Sequence, residues 1–450
     1  MQKIKHAKSV FTGAWGLLLA ATAAGIANPL FAEDAITHGQ KTLEAVNQQI
    51  ENIDILELKD RLDENPDLYI IDVRTPTEID TLGGMIRARN SINIPRGWLE
   101  FRTPDQVVDP STPIVVYCGI NQRSPLAAKT LMEMGYKNVS NLADGFFAWR
   151  DAEFPVRISD KAPDTKLYRR PEQVSHNVWS AIGATAGPSY ANAGHNNNLT
   201  FIITEAGVVV VNAGDNYLLA QALHHEIKQI TDQPVKYVVL ENAQGHAALG
   251  STYWREQGVP IIAHIDAAHE LEEQAFAIME RMLPYSRDNA YRTEVIPPDQ
   301  TFEDKMVLEL GGEVIELINF GPAHSPGDIS VWLPGQKLMI AGDMAFNQRL
   351  LPIFEETDTS LWLESFEKFV AMDAEIVIPG HGDPTTMDVV TQHTKDYLLF
   401  IRKQIQAVID NGGDLTDAYN VDQSPFAHLD TFRELAKRNA GMVFQAMQFE

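Results

Sequence analysis

The stretch Val115-Val116-Tyr117-Cys118-Gly119-Ile120-Asn121-Gln122-Arg123-Ser124-Pro125 decides the fold of the first half of the chain. Its apolar start predicts a short buried strand, its middle a tight loop, and Ser124 can cap a helix that begins at Pro125. A thiolate at Cys118 would face the N–H groups of the loop and the positive end of that helix. Arg123 adds a fixed positive charge. The pattern predicts a reactive thiol, with a buried, inert cysteine as the alternative.

The length of 450 residues predicts two globular domains, since a single core of that size is unusual. Short strands alternate with helical stretches over residues 50–155, which is typical of an α/β domain. A polar connector follows over residues 156–177. A second domain with further strand and helix patterns is predicted over residues 178–410, and a helical C-terminal appendage over residues 411–450.

The first 32 residues have the pattern of a secretory signal peptide. Lys3, Lys5 and Lys8 form a basic start, residues 10–27 carry no charge, and small residues recur up to Ala32. A membrane anchor is the alternative, because the apolar run reaches the lower end of a spanning length. We expect a periplasmic or secreted protein.

Cysteine content and net charge restrict the function further. Cys118 is the only cysteine in the sequence, so it cannot form a disulfide within the chain and stays available as a thiol. A formal net charge of -25 repels phosphate backbones and anionic lipid. No nucleic-acid partner is expected, and no membrane partner once the signal is removed.

The residues around Cys118 resemble the rhodanese homology domain over residues 50–155. The resemblance also rests on Ile71-Asp72-Val73-Arg74, on Ser91-Ile92-Asn93-Ile94-Pro95, and on Leu142-Ala143-Asp144-Gly145-Phe146 leading to Trp149. The spacing of six residues from Cys to Arg matches the sulfurtransferase loop. Asn121 stands where the family usually has Gly.

This resemblance implies that Cys118 carries a persulfide sulfur. A small sulfur donor, thiosulfate or a persulfide, would deliver it, and a thiol acceptor would remove it. Arg123, Asp72 and Arg74 are the other candidate catalytic residues. For Asp72 and Arg74, a structural ion pair under the loop remains open as the alternative.

In the second half, three strand-like runs each lead into glycine-rich sequence with site-like residues. These segments are Gly321-Pro322-Ala323-His324-Ser325-Pro326-Gly327-Asp328, Ile340-Ala341-Gly342-Asp343 and Ile378-Pro379-Gly380-His381-Gly382. His, Asp and His presented by three loops are a plausible shell for zinc or iron.

Their order and spacing resemble the metallo-β-lactamase fold, an αββα sandwich, and within it exported metallo-hydrolases associated with sulfur oxidation and quinoprotein systems. Those families carry a His-x-His-x-Asp-His cluster, where this chain has Asn242-Ala243-Gln244-Gly245-His246-Ala247. Asn242 and Gln244 replace two histidines, His246 stands at the Asp position, and Ala247 replaces the last His. Iron-dependent persulfide dioxygenases share the fold and use the first His of the cluster as a metal ligand. In this chain Asn242 stands at that position.

The resemblance therefore implies the reduced ligand set His246, His324, Asp343 and His381. Three interpretations of this module stay open: one zinc or iron ion, a metal-free scaffold that binds a ligand or partner, and an ordinary dinuclear hydrolase. For the whole chain we expect an exported sulfurtransferase coupled to a second, altered metal site in sulfur-compound metabolism. The alternative is a sulfur carrier or assembly factor whose second module only binds. The oligomeric state is left open.

Overall fold

The computed structural model describes residues 39–158 and 164–450. The predicted signal peptide lies outside the described residues. Within the described part, no helix combines the length and the apolarity that a membrane crossing requires. The strands of the first domain are β1 (Glu51–Ile53), β2 (Tyr69–Asp72), β3 (Met85–Ile86), β4 (Asn90–Asn93), β5 (Ile114–Tyr117), β6 (Val139–Leu142) and β7 (Val156–Arg157). Its helices are α1 (Gly39–Asn47), α2 (Ile55–Glu64), α3 (Pro76–Thr81), α4 (Leu99–Gln106), α5 (Ser124–Glu133) and α6 (Gly145–Asp151).

The first domain is built on a parallel sheet of five strands in the order β1-β6-β5-β2-β4. The apolar strand β5 lies at its centre and is buried along its whole length. Parallel strands place their carboxyl ends at one edge, where ligands usually bind. Cys118 therefore emerges at that edge beside the end of β2, where Asp72 pairs with Tyr117 in register.

The second domain contains two sheets. The strands of the first are β8 (Glu172–Gln173), β9 (Val178–Ala181), β10 (Leu199–Thr204), β11 (Gly207–Val211), β12 (Val235–Val239), β13 (Ile261–His264) and β14 (Gln300–Phe302). The strands of the other are β15 (Lys305–Leu310), β16 (Glu313–Ile318), β17 (Ser330–Leu333), β18 (Leu338–Phe346) and β19 (Ile376–His381). The helices are α7 (Tyr217–Ile230), α8 (Gly245–Ala248), α9 (Ser251–Glu256), α10 (Ile265–Glu273), α11 (Ala275–Ser286), α12 (Thr359–Val370), α13 (Met387–Val390), α14 (Asp396–Asp410), α15 (Leu415–Tyr419) and α16 (Phe432–Met447).

These two sheets pack face to face. Val209 and Val239 from the first sheet share a buried cluster with Leu317 and Ile340 from the second. Helices cover both outer faces, since α7 packs outside the first sheet and α12 and α14 outside the second. The predicted α/β fold class, an α/β domain followed by an αββα sandwich, is confirmed.

The predicted boundaries remain predictions, although strands lie inside the connector predicted over residues 156–177. There β7 pairs with β3 of the first domain and β8 pairs with β9 of the second. In residues 411–450, α16 buries Val443 and Phe444 in the core beside the second sheet. The segment predicted as an appendage thus packs into the second domain.

The two domains share an apolar core. Phe147 of α6 is fully buried and stacks on Tyr291 of the second domain, with ring centroids 4.8 Å apart. The same cluster continues from the first-domain strands to helix α7. This packing fixes the edge that carries Cys118 against the second domain.

A buried ion pair lies beneath that edge. The Arg74 guanidinium donates to Asp72, with Nη2 2.6 Å from Oδ2, and to the carbonyl oxygen of Gly84 at 2.7 Å. Both side chains are fully buried. The guanidinium also lies 4.1 Å from the ring centroid of Phe146, whose N–H donates to the Cys118 carbonyl oxygen at 2.9 Å. The pair therefore supports the loop from below, and its geometry favours the structural interpretation.

Because removing one partner leaves the other charge buried and unpaired, Asp72→Asn should lower the free energy of unfolding by roughly 3–5 kcal/mol. The matched control is Asp67→Asn, in an Arg89 pair whose side chains are 73% and 75% exposed, where the expected loss is below about 1 kcal/mol. Urea unfolding followed by tryptophan fluorescence measures both. Unchanged stability together with lost sulfur transfer would instead assign Asp72 a catalytic role.

Candidate functional site

The Cys118 loop joins the carboxyl end of β5 to the N-terminus of α5. The Arg123 N–H points at the Cys118 Sγ at 3.4 Å, and the Ser124 hydroxyl lies 3.5 Å from the same sulfur. Pro125 occupies the first turn of α5, where a missing N–H costs nothing. A thiolate or a terminal persulfide sulfur at this position would be stabilised by N–H groups and the helix dipole.

Asn121 gives the loop its tight bend. Its φ is 59°, in the left-handed region that Asn tolerates better than most residues. Its side-chain oxygen accepts a hydrogen bond from Asn141 Nδ2 at 2.9 Å. Asn121 can therefore stand where the rhodanese family usually has Gly, with a side-chain bond that anchors the bend to β6.

Arg123 is held between two buried carboxylates. Its Nη1 lies 2.8 Å from Glu78 Oε2 and its Nη2 lies 2.7 Å from Asp288 Oδ2, and each carboxylate side chain is only 1% exposed. Glu78 belongs to the capping box of α3, where it also accepts from the Thr75 N–H at 2.7 Å. Asp288 belongs to the second domain. The positive charge predicted for the loop is thus already paired.

Burial and neighbouring charges set the ionisation of this group. Burial opposes the charge on Arg123, but Glu78, Asp288 and the Cys118 thiolate outweigh it and raise the pKa of the guanidinium. Burial also opposes the charge on Glu78, yet Arg123 brings its pKa below the ordinary value. Burial raises the pKa of Asp288 to about 6, although Arg123 pulls it down. All three groups are mainly charged at pH 7.

No sequence pattern indicates that Glu78 or Asp288 lies close to Cys118. Asp288 is 165 positions from Arg123, in the stretch Tyr285-Ser286-Arg287-Asp288-Asn289, which matches no motif. The other candidates, Asp72 and Arg74, lie in the buried pair beneath the loop. Of the four predicted residues, Cys118 and Arg123 form the loop itself.

A second cluster lies at one edge of the αββα sandwich. His246 from α8, Asp343 from β18 and His381 at the end of β19 place ligand atoms within 4.8 Å of one another, all of them buried. His246 Nε2 is 3.4 Å from Asp343 Oδ2, and His381 Nε2 is 3.2 Å from Asp343 Oδ1. Gly380 makes the close approach feasible, because a Cβ there would lie 2.4 Å from Asp343 Oδ1.

His324 lies beside this cluster rather than within it. Its Nδ1 is 3.6 Å from Asp343 Oδ2 but 2.8 Å from the side-chain nitrogen of Gln244. Among the described residues, its buried Nε2 has no hydrogen-bond partner. Of the four predicted ligands, the structure brings three together and pairs the fourth with an amide.

The amides that replace family histidines are held by hydrogen bonds. Asn242 Nδ2 lies 3.0 Å from Asp328 Oδ1 and 3.4 Å from Asp343 Oδ2. Glu241, a further carboxylate, lies 3.2 Å from His246 Nε2. These contacts leave the amides and Asp328 satisfied by protein partners.

The donor set fits a single ion. One ligand atom from each of the three residues lies within 4.8 Å of the other two, a spacing close to what one zinc ion with ligands at about 2.0–2.1 Å would need. The histidine contacts of 3.4 and 3.2 Å run to different oxygens of Asp343. The Nδ1 of His381 contacts both the Asn196 carbonyl oxygen and Arg349 Nη1, the latter at 3.1 Å. When Nδ1 donates to the carbonyl, Nε2 keeps the lone pair that a metal ion would bind. Three protein ligands also leave one position open, as in catalytic zinc sites.

Protonation competes with metal at His246. Burial opposes its charge, but Asp343 and Glu241 outweigh burial and raise the pKa of His246 to about 10. Burial lowers the pKa of both His324 and His381 to about 4. His246 is therefore the imidazole that holds a proton most firmly, and a metal ion would have to displace that proton.

A cavity of about 550 Å³ opens beside the cluster. Its other lining residues include Asp215, Glu270, Arg281, Tyr285, Arg349 and Phe354. Tyr285 donates its hydroxyl hydrogen to Asp215 at 2.7 Å. Three residues further on, Asp288 contacts Arg123 of the Cys118 loop. The segment from Tyr285 to Asp288 therefore runs from the cavity to the Cys118 loop.

Comparison with known proteins finds one family match in each domain. Residues 54–152 match the family described as "Rhodanese-like domain", and residues 245–381 match the "Metallo-beta-lactamase superfamily". A "Sulfurtransferase" of Allochromatium vinosum is 32% identical over 107 residues, which cover 24% of this chain and 94% of that protein.

The matches in the second half are more partial. "Metallo-beta-lactamase type 2" of Bacteroides fragilis is 28% identical over 102 residues, 22% of this chain, and the match spans only 41% of that relative. The solved structure of a metallo-beta-lactamase from Pontibacter korlensis shares 21% identity with a TM-score of 0.43, covering 51% of this chain and 98% of that one. The chain therefore belongs to the rhodanese-like family through its first domain, and its residues 245–381 match the metallo-beta-lactamase superfamily.

Proposed function

We propose that the chain is an exported sulfurtransferase of sulfur-compound metabolism that carries sulfur as a persulfide on Cys118. The observation that supports this most is the position of Cys118. It directly follows the central parallel strand, and its sulfur faces the Arg123 N–H at 3.4 Å. Its relatives named as sulfurtransferases support the same reaction class.

The reaction has two steps. The Cys118 thiolate attacks the outer sulfur of a donor, a new S–S bond forms, and the donor's S–S bond breaks, with sulfite or a thiolate leaving with the electron pair. An acceptor thiol then attacks the outer sulfur of the persulfide, which restores the Cys118 thiolate and leaves the acceptor as a persulfide. No general base is required when the thiol is already ionised.

Export remains part of this proposal. It rests on the basic and apolar pattern of residues 1–32 and on a periplasmic or secreted location for the mature chain. A lone cysteine suits that setting, because an oxidising compartment would otherwise pair thiols within the chain.

The second domain contributes a single metal site in this proposal. His246, Asp343 and His381 would hold one zinc or iron ion, which would supply Lewis acidity beside the cavity. Asn196 would orient His381 through its other ring nitrogen. Glu241 contacts the same Nε2 of His246 that faces Asp343 and would compete with the ion for it.

A metal-free binding scaffold is the second candidate function for this domain. Its support is the hydrogen bonding of the replaced positions, because Gln244 pairs with His324 and Asn242 pairs with Asp328. His246 also lies between the Glu241 and Asp343 carboxylates as an internal cation would. The chain would then be a sulfur carrier or assembly factor.

Treatment with thiosulfate or a thiol persulfide should add about 32 Da, one sulfur atom, to the intact protein. Cyanide or excess thiol should remove it. Intact mass spectrometry measures the change, with Cys118→Ser as the control that gains nothing. An equal gain in Cys118→Ser, or none in the native protein, would end the sulfurtransferase proposal.

Zinc added to the apo protein should bind with about one equivalent and stabilise the second domain, by about 2.7 kcal/mol at a hundredfold excess over the dissociation constant. His246→Ala and His381→Ala should each reduce occupancy and abolish most of that gain. The control is His225→Ala, because His225 is exposed on α7. Elemental analysis and thermal unfolding measure the effect. The scaffold would be the correct function if the native protein neither binds zinc or iron nor gains stability from them.

A further inference from the structure

We propose that Asp288 of the second domain selects the sulfur donor of Cys118, disfavouring dianionic donors such as thiosulfate and favouring thiol persulfides, R–S–SH. This inference rests on the proposed function, in which Cys118 accepts a sulfane sulfur. It assigns to the second domain a role in the chemistry of the first.

The Asp288 carboxylate lies directly against the Cys118 loop. A Cβ added to Gly119 would lie 2.4 Å from Asp288 Oδ2, so only glycine allows this approach. The same oxygen lies 2.7 Å from Arg123 Nη2. Asp288, with Glu78 and Arg123, therefore forms the charged rim of the loop that holds the buried Cys118 sulfur.

The charges around the rim do not favour a dianion. Two carboxylates, Glu78 and Asp288, face the single guanidinium of Arg123, which leaves one excess negative charge. The Asp72–Arg74 pair beneath cancels internally. Lys166 also lies nearby, but burial, with Arg150 and Arg74, lowers its pKa to about 7, so it offers only a partial positive charge.

Backbone dipoles of the loop stabilise any sulfur anion alike. The preference between thiosulfate and a thiol persulfide therefore depends on the charged side chains at the rim. Thiosulfate brings two negative charges to it, and the sulfite that leaves retains both. A thiol persulfide brings at most one negative charge on its sulfur atoms, and none in the protonated form that reacts. The difference in repulsion from a like charge at a partly buried site is large enough to decide donor preference.

Asp288 is fixed in this position by packing. Asp288 and Asn289 are each 1% exposed, and Ser286 is fully buried. Arg287, between Ser286 and Asp288, has φ 48° and ψ -121°. This conformation costs free energy for a residue with a side chain. Its guanidinium lies 5.2 Å from the ring centroid of Tyr190. A strained but packed turn that aims a carboxylate at the loop is a built feature of the interface.

The transfer step balances with a persulfide donor. The Cys118 thiolate attacks the terminal sulfur of R–S–SH, the Cys118–sulfur bond forms, and the donor S–S bond breaks. The R–S⁻ thiolate leaves with the electron pair, while the proton stays on the transferred sulfur. No oxidant or reductant is consumed.

Rapid mixing followed by intact mass spectrometry would give the second-order rate constant of sulfur uptake by the full chain from thiosulfate and from cysteine persulfide. Asp288→Asn keeps the shape and an oxygen that can accept from Arg123, but removes the charge. It should raise the thiosulfate rate constant about tenfold and change that for cysteine persulfide less than about threefold. Asp373→Asn, which removes an exposed carboxylate with an 89% exposed side chain, should change neither.

Ionic strength provides a second test with the same two proteins. Salt screens repulsion between like charges, so the native rate with thiosulfate should rise as salt is added, and the Asp288→Asn rate should rise less. A native thiosulfate rate that falls or stays level with salt would overturn the role of Asp288, as would equal rate constants for both donors. Sulfur uptake from neither donor would instead overturn the proposed function of Cys118.

Discussion

The Arg123 guanidinium, bound between Glu78 and Asp288, is the contact on which the Cys118 site depends. It connects the end of the Cys118 loop to helix α3 on one side and to the second domain on the other. Charged hydrogen bonds of this kind, away from bulk water, are among the stronger polar contacts in proteins. Because one of the two carboxylates comes from the second domain, the loop is completed only when both domains are folded and packed together. The shared core around Phe147 and Tyr291 maintains that arrangement.

The short segment that leads to Asp288 also begins at the other site. Tyr285 lines the cavity beside the His246, Asp343 and His381 cluster, and Asp288 faces the Cys118 loop. The same four-residue segment therefore contacts both places. The second domain thus contributes Asp288 to the surroundings of the Cys118 loop and also contains the His246, Asp343 and His381 cluster.

The local elements around the candidate sites could be predicted from the sequence, but the contacts between distant residues could not. The strand, loop and helix around Cys118 follow from a short apolar run and a helix start, and the loops of Asp343 and His381 follow from strands that end in glycine-rich sequence. Asp288 could not be predicted, because its role arises from a contact between domains rather than from any local pattern. The Gln244 partner of His324 could not be predicted either, because side-chain geometry decides whether His324 faces a metal site or the Gln244 amide.

Hydrogen–deuterium exchange of the peptide that spans residues 118–124 tests the central claim most directly, namely that the second domain fixes the Cys118 loop. Asp288→Ala removes the second-domain anchor of Arg123 and leaves the loop sequence intact. The account predicts that amides of this peptide exchange several-fold faster in the variant, because local opening becomes easier where a packed contact is lost, while the peptide over β1 and α2 is unchanged. Equal exchange of residues 118–124 in the native protein and in Asp288→Ala would contradict it.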